Sequence, residues 1–131
     1  MKNNIHILYI DDEIINVKLF KINFSKYYNI YTAFSGIEGL EVLDKYPEIQ
    51  IIISDFRMPK MNGIEFVKIA KKKYPNKKFN ILTGFGITDE AQEALNKGII
   101  NNYLRKPFNI YRIKEVISEQ VGDTDIENIV Q

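Results

Sequence analysis

Ile51-Ile52-Ile53-Ser54-Asp55 constrains this chain more than any other stretch. Three β-branched residues in a row favour a strand covered on both faces, because a half-exposed strand alternates apolar with polar. The strand ends in a lone carboxylate. Pro59 and Gly63 in the following segment turn the chain away from the sheet. Such a strand belongs in the middle of a parallel sheet, where ligands bind beyond the carboxyl ends of the strands. Asp55 falls at that edge.

The flanking segments repeat the pattern. His6–Ile10 reads as a buried strand followed at once by Asp11-Asp12-Glu13. A helix follows over Ile14–Ile22, with Ile15, Leu19 and Ile22 on one face. Asn29–Phe34 is a second strand. Ser35-Gly36-Ile37-Glu38 is a capping-box signal that opens a helix with Ile37, Leu40, Val42 and Leu43 facing inward. The third strand spans Ile49 to Ser54, and Asn62 opens a helix carrying Ile64, Val67 and Ala70. Phe79–Thr83 is the fourth strand, and the Thr88-Asp89-Glu90 helix ends at Gly98 with its acids at the favourable end of the dipole. Asn102–Arg105 is a short fifth strand, followed by Lys106-Pro107. Asn109 caps a last helix with Ile110, Ile113, Val116 and Ile117 inside. Five strands alternating with five helices demand a parallel sheet with helices on both faces. One domain is expected over 1–120, with 121–131 a polar tail or linker remnant.

Composition narrows the function classes. The chain of 131 residues is 45% hydrophobic, enough for a real core, and its net charge of +1 steers it to neither nucleic acid nor membrane. It has no cysteine, which excludes disulfides and thiolate metal sites and fits a cytoplasmic location. No apolar run approaches the roughly 18 residues of a membrane span. The Lys71-Lys72-Lys73 run reads as a solvated helix end, and His6, the only histidine, as a structural strand residue far from the reactive edge.

Parallel strands bring Asp11, Asp12, Asp55, Thr83 and Lys106 to one edge. Three carboxylates in one cleft repel unless a cation enters. Hard oxygen ligands with open positions suit Mg²⁺, held by Asp12 and Asp55 with Asp11 ligating through water. A carboxylate beside Mg²⁺ can attack phosphorus to give an aspartyl phosphate. Asp55, alone at the sheet centre, is the best nucleophile. Lys106 supplies a mobile positive charge, and Thr83 a hydroxyl donor.

The set Asp11-Asp12, Asp55 with Met58-Pro59 and Gly63, Thr83, Tyr103 and Lys106-Pro107 resembles the receiver domains of two-component response regulators. The resemblance covers about residues 5 to 120. It implies a flavodoxin-like (βα)₅ fold of strand order 2-1-3-4-5. It implies phosphoryl transfer from a histidine kinase or phosphotransfer protein to Asp55, with Mg²⁺ held by Asp11, Asp12, Asp55 and the backbone carbonyl of Arg57. Thr83 and Tyr103 would form a switch pair, Lys106 would bind the phosphoryl group, and the Lys106–Pro107 bond would be cis. The output would run through the helix 4–strand 5–helix 5 face to an effector or a phosphorylation-dependent homodimer, not to nucleic acid directly. Such a chain is a signalling receiver rather than an enzyme acting on other substrates. One extra residue between Gly98 and Tyr103 departs from many receivers, and Gly84 should loosen the loop after Thr83. Arg57 and Phe85, two positions after Asp55 and Thr83, would border the path of an attacking water and slow loss of the phosphate. The alternatives on the same fold are a flavin-type binding module, which Asp11-Asp12-Glu13 disfavours by repelling its phosphate, and a phosphorylation-independent receiver. An aspartyl-nucleophile phosphatase would want a general acid where Phe56 and Arg57 stand.

Overall fold

The computed structural model describes residues 3–121. Five parallel strands, β1 (His6–Ile10), β2 (Asn29–Ala33), β3 (Ile51–Asp55), β4 (Lys78–Thr83) and β5 (Asn102–Arg105), form one sheet of order β2-β1-β3-β4-β5. Helices α1 (Ile14–Phe24), α2 (Gly36–Lys45), α3 (Gly63–Lys73), α4 (Asp89–Asn96) and α5 (Ile110–Gln120) alternate with them. This is the flavodoxin-like arrangement, with β3 central. Among the described residues no helix is long and apolar enough to cross a membrane.

The sheet divides two cores by the two-residue period of its strands. Leu8, Ile10, Ile52 and Ile81 point to a core shared with Leu43, Phe66, Val67 and Ala94 of α2, α3 and α4. Ile7, Tyr9, Ile51, Ile53, Leu82 and Leu104 point the other way, to Val17, Phe20 and Phe24 of α1 and to Ile113, Val116 and Ile117 of α5. Every residue of β3 is buried, as a both-sides-covered strand requires. Val121 is also buried in the second core. The rest of the expected tail, 122–131, lies outside the described residues.

Two helix faces differ from the sequence expectation. In α1 the stripe Ile15, Leu19 and Ile22 faces solvent, at 71, 46 and 73% exposure, while Val17, Phe20 and Phe24 are buried. Both stripes have helical spacing. The aromatic one has more apolar area to bury, and Phe20 stacks on Tyr9 at 4.2 Å, nearly parallel. In α2, Ile37 is exposed and Gly36, Gly39 and Leu43 are inside. A Cβ on Gly39 would lie 2.6 Å from Ile10 Cδ1, so this helix packs its backbone against the sheet and turns Ile37 outward. Leu40 and Val42 are half-buried against the first core.

The loops that shape the reactive edge are tight. A Cβ on Gly63 would fall 2.4 Å from the Asp55 carbonyl oxygen, and the Gly63 N–H donates to the Phe56 carbonyl at 2.7 Å. Only glycine lets α3 start this close behind β3. The segment from Gly98 to β5 folds back onto the end of α4. Gly98 adopts φ 72°, and the N–H groups of Ile99 and Ile100 both donate to the Ala94 carbonyl. Ile100 is thereby buried, and Asn101 pairs with Phe79 through its N–H and its side-chain oxygen.

Candidate functional site

Strand register brings the acids together. β1 and β3 pair Ile7 with Ile51 and, at their carboxyl ends, Ile10 with Ser54. One step further sets Asp11 beside Asp55. Alternation from Ile7 and Tyr9, and from Ile51 and Ile53, aims both carboxylates to the α1–α5 side. Lys106 lies two residues beyond Leu104 and shares that side. Thr83 and Tyr103 have the opposite parity and lie on the α4 side, with Tyr103 packed against the first core.

Carboxylate oxygens of Asp11, Asp12 and Asp55 lie within 4.8 Å of one another. Asp11 and Asp55 are buried and Asp12 is exposed. Lys106 Nζ bridges the two buried acids, at 2.9 Å from Asp11 Oδ2 and 3.2 Å from Asp55 Oδ1. Asp11 is held by more than this cation. Its Oδ2 also accepts from the Tyr9 hydroxyl at 2.9 Å and from Asn16 Nδ2 at 3.1 Å, and its Oδ1 accepts from the Glu13 N–H. The Lys106 N–H donates to the Thr83 carbonyl, and the Lys106–Pro107 bond is cis, as the resemblance implied. Sequence reasoning had no signal for Tyr9 or Asn16, since nothing in a buried strand or a helix start marks which side chain will reach back to an acid.

The switch-pair candidates sit in the β4–α4 corner. Thr83 is fully buried, and its Oγ1 accepts from the Phe85 N–H at 3.3 Å. The Tyr103 hydroxyl donates to the Gly86 carbonyl at 3.0 Å, which ties β5 to the β4–α4 loop. Arg57 and Phe85 meet each other: the guanidinium carbon is 3.9 Å from the ring centroid, so the loops after β3 and β4 are joined by a cation–π contact.

The surroundings of the cleft shift Asp55 and Lys106 in the same direction. Burial, then the charge of Asp11, pushes the Asp55 carboxyl up to about 6, with Lys106 opposing and Asp12 adding to the rise. Burial pulls Lys106 down, but its hydrogen bond to Asp11 and the charges of Asp55 and Asp11 outweigh this, and the ammonium is held above its usual range. One lysine thus compensates two of three acids. The donor set is all hard oxygen, with Asp12 open to solvent, and that fits a small divalent cation that keeps several waters.

The raised Asp55 has a thermodynamic consequence in metal-free protein. An unfolded aspartate titrates near about 4. Between that value and about 6 the folded chain keeps a proton the unfolded chain has released, so this residue lowers stability as pH rises through the window. Asp55→Asn removes the cost. In chelator-treated buffer, the unfolding free energy of Asp55→Asn minus that of the parent should rise across the window and level off above it. Urea titrations at a series of pH values measure it, and a difference independent of pH contradicts the assignment.

Comparison with known proteins follows the same lines. Residues 7–118 match the response regulator receiver domain family. The chain is 35% identical over 96 residues to a chemotaxis protein CheY homolog of Campylobacter jejuni, covering 72% of this chain and 73% of that protein. It is 32% identical over 123 residues to the chemotaxis protein CheY1 of Helicobacter pylori, covering 91% and 98%. The solved receiver domain protein from Clostridium thermocellum superposes with a TM-score of 0.85 at 30% identity, over 94% of this chain and 98% of that one. With an acidic pocket at the strand ends and this likeness over nearly its whole length, the chain belongs to the response regulator receiver domains of two-component signalling, whose phosphoryl donor is a histidine kinase.

Proposed function

We infer that Asp55 is the phosphoacceptor and that Lys106, Thr83 and the acidic pair serve its reaction. The observation that carries this is the placement of Lys106 Nζ between Asp11 and Asp55 at the carboxyl end of the central strand. An Asp55 oxygen forms the new bond to phosphorus while the bond from phosphorus to the donor's imidazole nitrogen, or to the acetate of acetyl phosphate, breaks. Mg²⁺, held by Asp11, Asp12, Asp55 and the Arg57 carbonyl, would neutralise charge on the transferring group. Lys106 is poised to leave Asp11 for a phosphoryl oxygen, and the Thr83 hydroxyl, whose oxygen accepts from the Phe85 N–H, would donate its proton to another. Tyr103, hooked to Gly86, would then change its packing and alter the α4–β5–α5 face that meets an effector or a second copy. A flavin phosphate would face the exposed acids Asp12 and Glu13, so the flavin reading gains nothing.

The solvent-facing stripe Ile15, Leu19 and Ile22 bears on the donor. Its Leu19 lines a cleft of about 400 Å³ together with Tyr9, Asn16, Lys106, Pro107 and Phe108, beside the acids. An apolar face next to the reactive groups suits the docking of a phosphorylated donor protein.

Incubation with Mg²⁺ and acetyl phosphate should place one acid-labile phosphate on Asp55, mapped by mass, and Asp55→Asn should take up none. Ile15→Glu should slow uptake from a phosphohistidine donor protein about tenfold. Normal incorporation into Asp55→Asn would overturn the assignment.

The phosphate's lifetime depends on the two loops. An exposed cation–π contact contributes about 0.5–1 kcal/mol, so the Arg57–Phe85 pair would open readily. Neither side chain can act as a base for water: the guanidinium carries only donors and the phenylalanine ring has no proton acceptor. After donor removal, the parent should lose phosphate several-fold more slowly than the Arg57→Asn, Phe85→Glu variant. Equal decay rates would mean that these side chains do not gate the water.

A further inference from the structure

Tyr9 is fully buried, yet its hydroxyl reaches the reactive edge from inside the protein. Its ring is fixed by the Phe20 stack at 4.2 Å and 6° between planes, and the hydroxyl donates to Asp11 Oδ2 at 2.9 Å. Asn16, in the first turn of α1, donates to the same oxygen at 3.1 Å, and Lys106 is the third donor there. The three donors differ in kind. Lys106 is a long, flexible cation also drawn to Asp55, whereas Tyr9 is rigid.

We propose that Tyr9 and Asn16 are positioning residues for the metal side of the cleft: they hold Asp11 Oδ2 while Oδ1 accepts from the Glu13 N–H, and they keep the carboxylate pinned when Lys106 moves away. The inference rests on the reading of this cleft as a Mg²⁺-dependent phosphoacceptor site. Lys106 has to exchange Asp11 for the phosphoryl group. An Asp11 held by Lys106 alone would then be free to rotate or to follow the lysine. With two uncharged donors behind it, Asp11 keeps its place through the exchange. Partners behind a ligand commonly change metal affinity by about 10–100-fold when removed. Here each partner is one of several on a single carboxylate, so the lower end applies.

The test is Mg²⁺ binding by calorimetry on the whole chain. Tyr9→Phe keeps the ring and its stack but deletes the donor, and should raise the Mg²⁺ dissociation constant about tenfold. Asn16→Ala, on the half-buried wall of the cleft and outside the core, should raise it several-fold and tests the same oxygen if Tyr9→Phe fails to fold. The double variant should cost less than the product of the two, because both act on one carboxylate. A merely structural role would lower the unfolding temperature of metal-free Tyr9→Phe and leave Mg²⁺ affinity alone. Dissociation constants within twofold of the parent in the folded variants would overturn the proposal. A parent that binds no Mg²⁺ would overturn the metal reading itself, and this inference with it.

Discussion

Mutual repulsion among three carboxylates is the constraint on which the reactive edge depends. Asp11 and Asp55 are drawn together by strand pairing, not by any attraction of their own. A parallel sheet fixes its register through a row of buried Ile, Leu and Val, and a one-residue slip would turn every side chain to the wrong face. The apolar core thus forces the acids into contact, and Lys106 makes that contact tolerable. Taking a carboxylate out of water without a partner costs several kcal/mol, on the order of the whole stability of a small domain. One movable cation therefore stands against three acids in this cleft, a balance that a divalent ion would complete.

The same parity that groups Asp11, Asp55 and Lys106 separates them from Thr83 and Tyr103. The first three look to α1 and α5, and the last two to α4. Lys106 spans the division, since its ammonium is in the acid cleft while its N–H is bonded to the Thr83 carbonyl. Thr83 in turn accepts from Phe85, and Tyr103 holds the loop at Gly86. A group arriving on Asp55 that draws in Lys106 and Thr83 would act on both ends of this chain of contacts at once.

Much of this was legible in the sequence because the strands are short apolar runs that end in chemistry-bearing residues. His6–Ile10 and Asn102–Arg105 appear with the bounds their composition suggests, and the strand order follows from the family likeness. What was not legible depended on competition between neighbours. In α1 apolar residues occur on nearly every face, so spacing alone could not choose between Ile15-Leu19-Ile22 and Val17-Phe20-Phe24. The choice was made by Tyr9, which offered Phe20 a ring to stack on. In α2 the missing side chains of Gly36 and Gly39 set the inward face, a signal that an apolar count ignores. The hold on Asp11 by Tyr9 and Asn16 joins residues two and five positions away through the fold of the β1–α1 loop, and no local pattern announces it.

The central claim is that the Lys106 bridge is a resting state which a phosphoryl group displaces, with effects that travel to β5 and α5. Amide chemical shifts recorded with Mg²⁺, with and without the phosphate mimic beryllofluoride, test it most directly. The account predicts changes that begin at Asp55, Thr83 and Lys106 and continue through Tyr103 across residues 98–112. Changes confined to the acidic cleft, with residues 98–112 unmoved, would contradict it.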